Sequence, residues 1–158
     1  MKGFVFDLDN TLYDRYGTIE KFMRAYESRM MPYINPAYDI DKAIDHVFHT
    51  EPLFIHDGWE AVYPALVNEH FFNSDNTPSY SQFQLFAKRG FTEFAVKFDG
   101  IPEFLAELKS RGYAVALLTN AGDIPYQYNK LDLLGLRDCF DKIVIFVRVV
   151  WASSVISP

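Results

Sequence analysis

The sequence predicts an α/β protein in which a parallel sheet carries an all-helical insert. Short apolar runs rich in β-forming residues lie at 3–6, 113–118 and 141–145, and they indicate buried strands. Helical patterns precede the second and third runs, which is the order of a parallel α/β sheet. Between the first run and the helix before the second lie residues 15–95, whose apolar positions recur at helical spacing.

The first predicted strand, 3–6, is expected to be buried on both faces. It ends at Asp7, and Asp9 follows within a group of turn-forming residues. Burying two like charges is costly unless a cation, hydrogen bonds or a proton compensates. Ligands of open α/β sheets bind at the carboxyl ends of the strands. The pair Asp7 and Asp9 therefore indicates a site for Mg2+ and a phosphate, although a capped turn after a strand would use the same residues.

The insert is predicted to be helical, and individual residues mark its boundaries. Thr18 is a candidate N-cap for the first helix, and Pro64 has to lie in the first turns of the third. Gly90 is expected to divide the last segment into two helices. The predicted helical segments are 15–31, 40–49, 59–72 and 81–98.

After the insert the chain returns to the core. A helix beginning at Ile101 should end with Gly112 just after its last turn, and the strand 113–118 follows. The next helix is predicted over 124–134, ended by Gly135, before the third strand begins at 141. We therefore assign residues 1–14 and 96–158 to the core and residues 15–95 to the insert.

Composition limits the class of protein. The chain has 158 residues, of which 49% are hydrophobic and 23% charged, as is usual for a soluble globular protein. Its net charge of -6 argues against nucleic acid or an anionic membrane as the main partner. We expect neither a membrane-spanning segment nor a signal peptide, because no apolar run is long enough to span a bilayer and the N-terminus reads as a strand. Cys139 is the single cysteine, expected to be a buried, unreactive thiol, and the predicted location is the cytoplasm.

Two motifs resemble those of a known family. Phe6-Asp7-Leu8-Asp9-Asn10-Thr11-Leu12 resembles motif one of the haloacid dehalogenase-like (HAD) hydrolases, a hydrophobic residue followed by D-x-D-x-T. The apolar strand that ends in Thr119-Asn120 resembles motif two. The resemblance implies a Rossmann-like parallel sheet with a helical cap inserted after the first strand, where the cap closes over the active site.

The resemblance also implies a chemistry. Asp7 would be the nucleophile that forms an aspartyl-phosphate, and Asp9 would protonate the leaving oxygen and later deprotonate water. Mg2+ would bind Asp7 and the main-chain carbonyl of Asp9, while Thr119 and the main-chain N–H of Asn120 would bind the phosphoryl group. For Thr119 the alternative is an ordinary β-branched strand end. The implied function is Mg2+-dependent hydrolysis of a phosphate monoester of a small metabolite, as in nucleotidases or phosphoglycolate phosphatases.

Asp9 separates two reactions within this family. Members that cleave carbon–halogen bonds resemble D-x-Y at this place and need no acid for the leaving group. An acid at position 9 favours phosphate-ester chemistry. Among the other polar residues, Asp14 is predicted to be a solvated turn acid and Asp123 a loop or helix-capping residue. His46 and His49 have a spacing found in metal sites, but without a third ligand we expect them to be surface or partly packed side chains.

The resemblance ends after Ile145. The family pattern continues with a glycine-containing loop, a lysine ahead of a helix and later an acidic pair, but no lysine follows Lys142 and no acid follows Asp141. Arg148 is not a convincing substitute. We therefore expect the C-terminal core strands to be missing, which would leave an apolar sheet edge beside the first strand. We hypothesise a truncated or frame-shifted gene product; an intact reading frame ending at Pro158 in close relatives would contradict this.

A second function follows from the same divergence. A chain without the lysine and the acidic pair could be a catalytically inactive remnant, or a binding or regulatory module. A homodimer that builds the site across two chains is the third arrangement we consider. Metal bound at Asp7 in a dimer would indicate a completed site, whereas weak metal binding would indicate a remnant.

Overall fold

The computed structural model describes residues 2–54 and 58–147, with only the main chain of Phe54. His56, Arg148 and the remainder of the C-terminal tail lie outside the described residues. None of the helices in these two ranges is long and apolar enough to cross a membrane.

The described strands form one parallel sheet. Strand β1 (Gly3–Phe6) pairs with β2 (Ala114–Ala121), which pairs with β3 (Lys142–Val147), and the strand order is β1-β2-β3. Helix α6 (Ile101–Ser110) precedes β2 and helix α7 (Ile124–Leu134) connects β2 to β3. The predicted α/β class is thus confirmed, because each parallel pair needs a crossover long enough to hold a helix.

The segment between β1 and α6 is helical, as predicted. Its connections to the core lie side by side: the amide of Asp14 donates to the carbonyl of Val96 at 2.9 Å, and Tyr13 pairs antiparallel with Lys97. The chain therefore leaves and re-enters the core at one place. The helices of this segment are α1 (Arg15–Ala25), α2 (Glu27–Met30), α3 (Ile40–Thr50), α4 (Trp59–Asn68) and α5 (Tyr80–Glu93), and short 3-10 turns follow α2 and α3.

The first helix begins earlier than its predicted cap. Asp14, not Thr18, is the N-cap of α1, and its carboxylate accepts from the amide of Gly17 at 2.8 Å. Thr18 is buried, and its hydroxyl donates to the carbonyl of Asp14 and accepts from the amide of Val96. Thr18 therefore ties the start of the insert to its end. Asp14 is half-buried and has a specific partner, so it is not the solvated acid that we predicted.

Two predicted helix boundaries differ for local reasons. The segment 15–31 is interrupted after Ala25 and continues as α2 and a 3-10 turn at Met31–Tyr33. Helix α4 ends at Asn68, because His70 adopts a left-handed conformation with φ of 56° that a helix cannot continue through. Pro64 lies in the second turn of α4, as the prediction that it lies in the first turns allows.

Gly90 does not break the last helix of the insert, contrary to the prediction. Helix α5 runs through it, and a Cβ placed at Gly90 would lie 2.6 Å from the ring of Phe22. Gly90 is therefore required for the close approach of α5 to α1, and this contact between distant segments has no local sequence pattern.

We expect Gly90→Ala to lower the free energy of unfolding by about 1–3 kcal/mol, because overpacking against Phe22 outweighs the helix propensity gained with alanine. Urea denaturation would measure the change. Gly122→Ala is the control, because nothing lies within 4 Å of a Cβ at that position. A Gly90→Ala variant as stable as the parent would contradict the close approach.

The sequence predicted that strand β1 is buried on both faces, and the structure shows that it is not. Phe6 packs edge-on against Phe104, at 5.9 Å between ring centroids, but Val5 is 65% exposed. β1 is also the edge of the described sheet, and three of its four residues are exposed among the described residues. The expected apolar edge is thus present in this part of the chain.

The second half of the core follows the predicted capping pattern closely. Gly112 follows α6 with φ of 81°, and Gly135 ends α7 with φ of 65°. Asp123 is the N-cap of α7 and accepts from the amide of Tyr126 at 3.1 Å. Strand β2 is longer than predicted and extends to Ala121. Thr119 and Asn120 consequently belong to the strand and not to the loop after it.

Candidate active site

The turn after β1 is fixed by main-chain hydrogen bonds to one carbonyl. The oxygen of Leu8 accepts from the amides of Thr11, Leu12 and Tyr13 at 3.0–3.2 Å. Asn10 adopts a left-handed conformation with φ of 56°, which asparagine tolerates better than most residues. This turn buries Leu8 and leaves Asp7 exposed at the end of the strand.

The predicted site residues come to the same edge of the sheet. In the parallel register Phe6, the last residue of β1, lies opposite Leu117. Asp7 follows directly after β1, and Thr119 lies two residues beyond Leu117, in the part of β2 that extends past β1. Thr119 is buried, whereas Asn120 is exposed. The carboxylate of Asp9, 25% exposed, lies in the turn beyond the same edge. The arrangement matches the edge at which parallel α/β sheets bind ligands.

A buried lysine contacts Asp9. Lys130, on α7, is only 3% exposed in its side chain, and its Nζ donates to Oδ1 of Asp9 at 3.1 Å. The ammonium also lies 4.6 Å from the ring centroid of Tyr13 and 5.5 Å from that of Tyr126. Burial lowers the pKa of Lys130, while the carboxylates of Asp9 and, more weakly, Asp7 raise it; burial is the larger effect. Lys130 therefore belongs to the electrostatic environment of both acids.

Helix α7 also contacts Thr119. Gln127 is buried one turn before Lys130, and its Nε2 donates to Oγ1 of Thr119 at 3.2 Å and to the carbonyl of Asn120 at 3.4 Å. Residues three apart on a helix share a face. One face of α7 thus holds polar groups against both motifs.

Arg15, at the start of α1, is the second cation near Asp9. Its NH1 lies 3.7 Å from Oδ1 of Asp9, and its Nε donates to Oε1 of Glu51 at 2.7 Å, with a further hydrogen bond from NH2. The guanidinium lies 4.5 Å from the ring centroid of Phe91. Burial lowers the pKa of Arg15. The Glu51 carboxylate and, more weakly, that of Asp9 raise it, and together they outweigh burial, so the pKa lies above its usual value. The ion pair links the turn of Asp9 to the helical insert.

The residues present are suited to a hard cation that keeps most of its water. The described ranges contain no group of three or more His, Cys, Asp or Glu side chains that could hold a metal. The carboxylate of Asp7 is exposed, whereas Oδ1 of Asp9 is engaged by two cations. A donor set of the Asp7 carboxylate and the Asp9 main-chain carbonyl fits Mg2+, which favours few carboxylates together with waters and phosphate oxygens.

Lys130, Gln127 and Arg15 were not among the residues predicted from the sequence. A signal for the first two was present, because the buried positions of α7 follow a helical stripe in which two of the four are polar. Those positions are Gln127, Lys130, Leu131 and Leu134. No comparable signal exists for Arg15, whose partners Asp9 and Glu51 are distant from each other in the chain.

Other candidate sites are explained by packing. His46 stacks on Phe71, at 5.1 Å between ring centroids, and its Nε2 lies 2.9 Å from Glu69. His49 is exposed, and its Nδ1 lies 2.7 Å from the carbonyl of Asp45. Cys139 is partly buried, with its Sγ near the carbonyl of Gly135. The two histidines therefore have the partly packed and surface positions that we predicted, whereas Cys139 is less buried than predicted.

A cavity of about 260 Å³ lies among the helices of the insert. Aromatic and aliphatic side chains line most of it, and neither Asp7, Asp9 nor Thr119 is among its lining residues. We therefore locate the candidate active site by its carboxylates and not by the cavity. The lining includes Phe22, Met23, Trp59, Leu66, Phe86 and Phe91.

A protein-family comparison agrees with the motifs. The model of a family described as haloacid dehalogenase-like hydrolase matches residues 1–153. A comparison with curated proteins gives no match.

Solved structures show the same fold at low sequence identity. YfnB of Bacillus subtilis, a HAD hydrolase bound to magnesium, has 17% identity and a TM-score of 0.67 over 91% of this chain and 64% of its own. A HAD family hydrolase of Deinococcus radiodurans with bound phosphate and sodium has 19% identity and a TM-score of 0.58, covering 92% and 58%. The L-2-haloacid dehalogenase of Xanthobacter autotrophicus, with chloropropionic acid covalently bound, has 19% identity and a TM-score of 0.59, covering 92% and 56%. This chain thus spans 56–64% of the length of these proteins.

Proposed function

Because the chain belongs to the haloacid dehalogenase-like hydrolases, we propose that it hydrolyses the phosphate monoester of a small metabolite, with Mg2+ as cofactor. The observation that carries the proposal is the carboxyl group of Asp9, two residues after Asp7 in the turn that follows β1 at the carboxyl edge of the sheet. A phosphate ester needs a proton donor for its leaving oxygen, whereas a carbon–halogen bond releases a stable halide without one.

Asp7 is the nucleophile in this proposal. An oxygen of its exposed carboxylate attacks phosphorus, and the bond from phosphorus to the leaving oxygen breaks as the aspartyl-phosphate forms. When bound, Mg2+ supplies positive charge that offsets the negative charge of the carboxylate and the phosphate. The exposure of Asp7 supports this role, because a nucleophile has to reach a substrate that enters from solvent.

Asp9 exchanges the proton. It donates a proton to the leaving oxygen in the first step and then accepts a proton from the water that attacks phosphorus. The second step breaks the bond between phosphorus and the Asp7 oxygen, releases phosphate and restores both carboxyl groups. The partial burial of Asp9 supports the assignment, because proton transfer requires a defined position and restricted competition from bulk water.

Thr119 and Asn120 bind the phosphoryl group. Gln127 donates to Oγ1 of Thr119, so the hydroxyl hydrogen of Thr119 remains available to donate to a phosphoryl oxygen. The main-chain N–H of Asn120, the next residue of β2, would be a second donor to this group. Gln127 thereby sets the direction in which the Thr119 hydroxyl donates.

The experiment compares two reactions in the presence and absence of Mg2+. We expect release of phosphate from p-nitrophenyl phosphate that requires Mg2+ and stops with EDTA, and no release of chloride from 2-chloropropionate. Chloride release would favour the dehalogenase reaction. No turnover of either compound by folded protein would favour the inactive or regulatory alternative, and measurement of molecular mass in solution would then test the homodimer.

A further inference from the structure

Two cations contact the same oxygen of Asp9. Lys130 Nζ lies 3.1 Å from Oδ1, and Arg15 NH1 lies 3.7 Å from the same atom. The hydrogen bond from Lys130 and the ion-pair contact given for each cation are therefore both made with Oδ1. The two oxygens of Asp9 are thus not equivalent in this site.

Lys130 makes the closer and more specific of the two contacts. Arg15 is held by two hydrogen bonds to Glu51, whereas among the described residues the ammonium of Lys130 donates a hydrogen bond to Asp9 and forms its ion pair there. A lysine that is 3% exposed is costly to bury, and an apolar side chain of similar volume is often as stable or more stable. The position of Lys130 is therefore explained better by what it does to Asp9 than by a contribution to stability.

The packing around Lys130 restricts its movement. The ammonium lies over the rings of both Tyr13 and Tyr126. Tyr13 itself belongs to the turn that carries Asp9. Gln127, on the same face of α7, holds Thr119. One rigid helix thus sets the position of groups from both strand ends, and a displacement of about 1 Å in such groups can cost about 100-fold in rate.

We propose that Lys130 is a positioning residue that anchors Oδ1 of Asp9, so that Oδ2 is the oxygen that exchanges the proton with the leaving group and with water. The inference rests on the proposed function, because it assigns a place to the acid of that reaction. Lys130 itself neither contacts the substrate nor transfers the proton.

The test uses the effect of leaving groups. p-Nitrophenolate leaves readily without a proton, whereas the alkoxide of an alkyl phosphate does not, so a defect in the acid should affect the alkyl ester more. We expect Lys130→Met to lower kcat/KM, which reports only the steps through departure of the leaving group, by about 100-fold for an alkyl phosphate and less than about tenfold for p-nitrophenyl phosphate. Asp9→Asn should show the same pattern, and the double variant should be no slower than Asp9→Asn alone.

The control is Lys42→Met, which removes an exposed lysine of α3 and should leave both rates unchanged. Equal losses for both substrates in Lys130→Met, accompanied by a lower melting temperature, would indicate a structural role and overturn the inference. Unchanged rates for both substrates would overturn it as well.

A measurement that does not depend on activity separates this inference from the proposed function. If Lys130 anchors Asp9, the shifts in melting temperature caused by Lys130→Met and Asp9→Asn should not add in the double variant. Additive shifts would overturn the inference even in an active enzyme. Non-additive shifts in a protein that hydrolyses neither ester would leave the contact in place, contradict the proposed function and, with it, the catalytic role of Lys130.

Discussion

Asp7→Asn is expected to lower kcat for phosphate esters by at least about 10⁴-fold, because an amide cannot form the covalent intermediate and the remaining groups only bind and polarise the substrate. The measurement is phosphate release at saturating Mg2+ from both an aryl and an alkyl phosphate. Unlike the loss in Lys130→Met, this loss should be similar for both substrates, since the nucleophile is missing whichever group leaves.

The matched control for this variant is Asp14→Asn. It makes the same change of carboxylate to amide seven residues away, at the N-cap of α1, where Asn and Asp cap about equally well. We expect its activity to equal that of the parent. Because Asp7 is exposed, Asp7→Asn should change the free energy of unfolding by less than about 0.5 kcal/mol, so its inactivity cannot come from unfolding. Comparable activity in Asp7→Asn and the parent would exclude Asp7 as nucleophile.

Arg15→Met is expected to lower the free energy of unfolding by about 3–5 kcal/mol, because it leaves the carboxylate of Glu51 buried without its positive partner. The side chain of Glu51 is 5% exposed and that of Arg15 is 13% exposed, so solvent can compensate little. The measurement is urea denaturation at neutral pH. The double variant Arg15→Met/Glu51→Leu should recover most of the loss, since it removes both buried charges together.

Arg24→Met is the corresponding control on the surface. Arg24 pairs with Glu20 and Asp41, but all three side chains are largely exposed, so its removal should leave the urea midpoint almost unchanged. If Arg15→Met shifted the urea midpoint as little as Arg24→Met, the Arg15–Glu51 pair would have only the strength of a surface pair. That result would also remove the physical basis for a link between the insert and the turn of Asp9.

Much of the fold could be predicted because it depends on neighbours in the chain. Gly3–Phe6 is a strand with the predicted bounds, and α3, α6 and α7 begin at or within a residue of their predicted starts. Asp123 caps the start of α7 and Gly135 caps its end, as is typical of these residue types. Apolar periodicity and capping are local properties, so a single sequence contains them.

The errors occur where a residue responds to a distant segment. Gly90 looks like a helix break in its own sequence, but in the structure it makes room for Phe22. Thr18 has the residue type of an N-cap, yet it is buried against Val96. Val5 belongs to an apolar run and is exposed, because burial depends on what covers a strand and not on its composition.

The same division applies to the candidate site. By itself the sequence determined that Asp7 and Asp9 follow a strand and that Thr119 lies near the end of another, since strand ends and turns are set by local residue preferences. Only the tertiary structure decided that Lys130 contacts Asp9, 121 positions away, and that Arg15 is shared between Asp9 and Glu51. Such contacts depend on how helices pack on the sheet, and packing is determined by the shape and burial of the whole core, which no local pattern encodes.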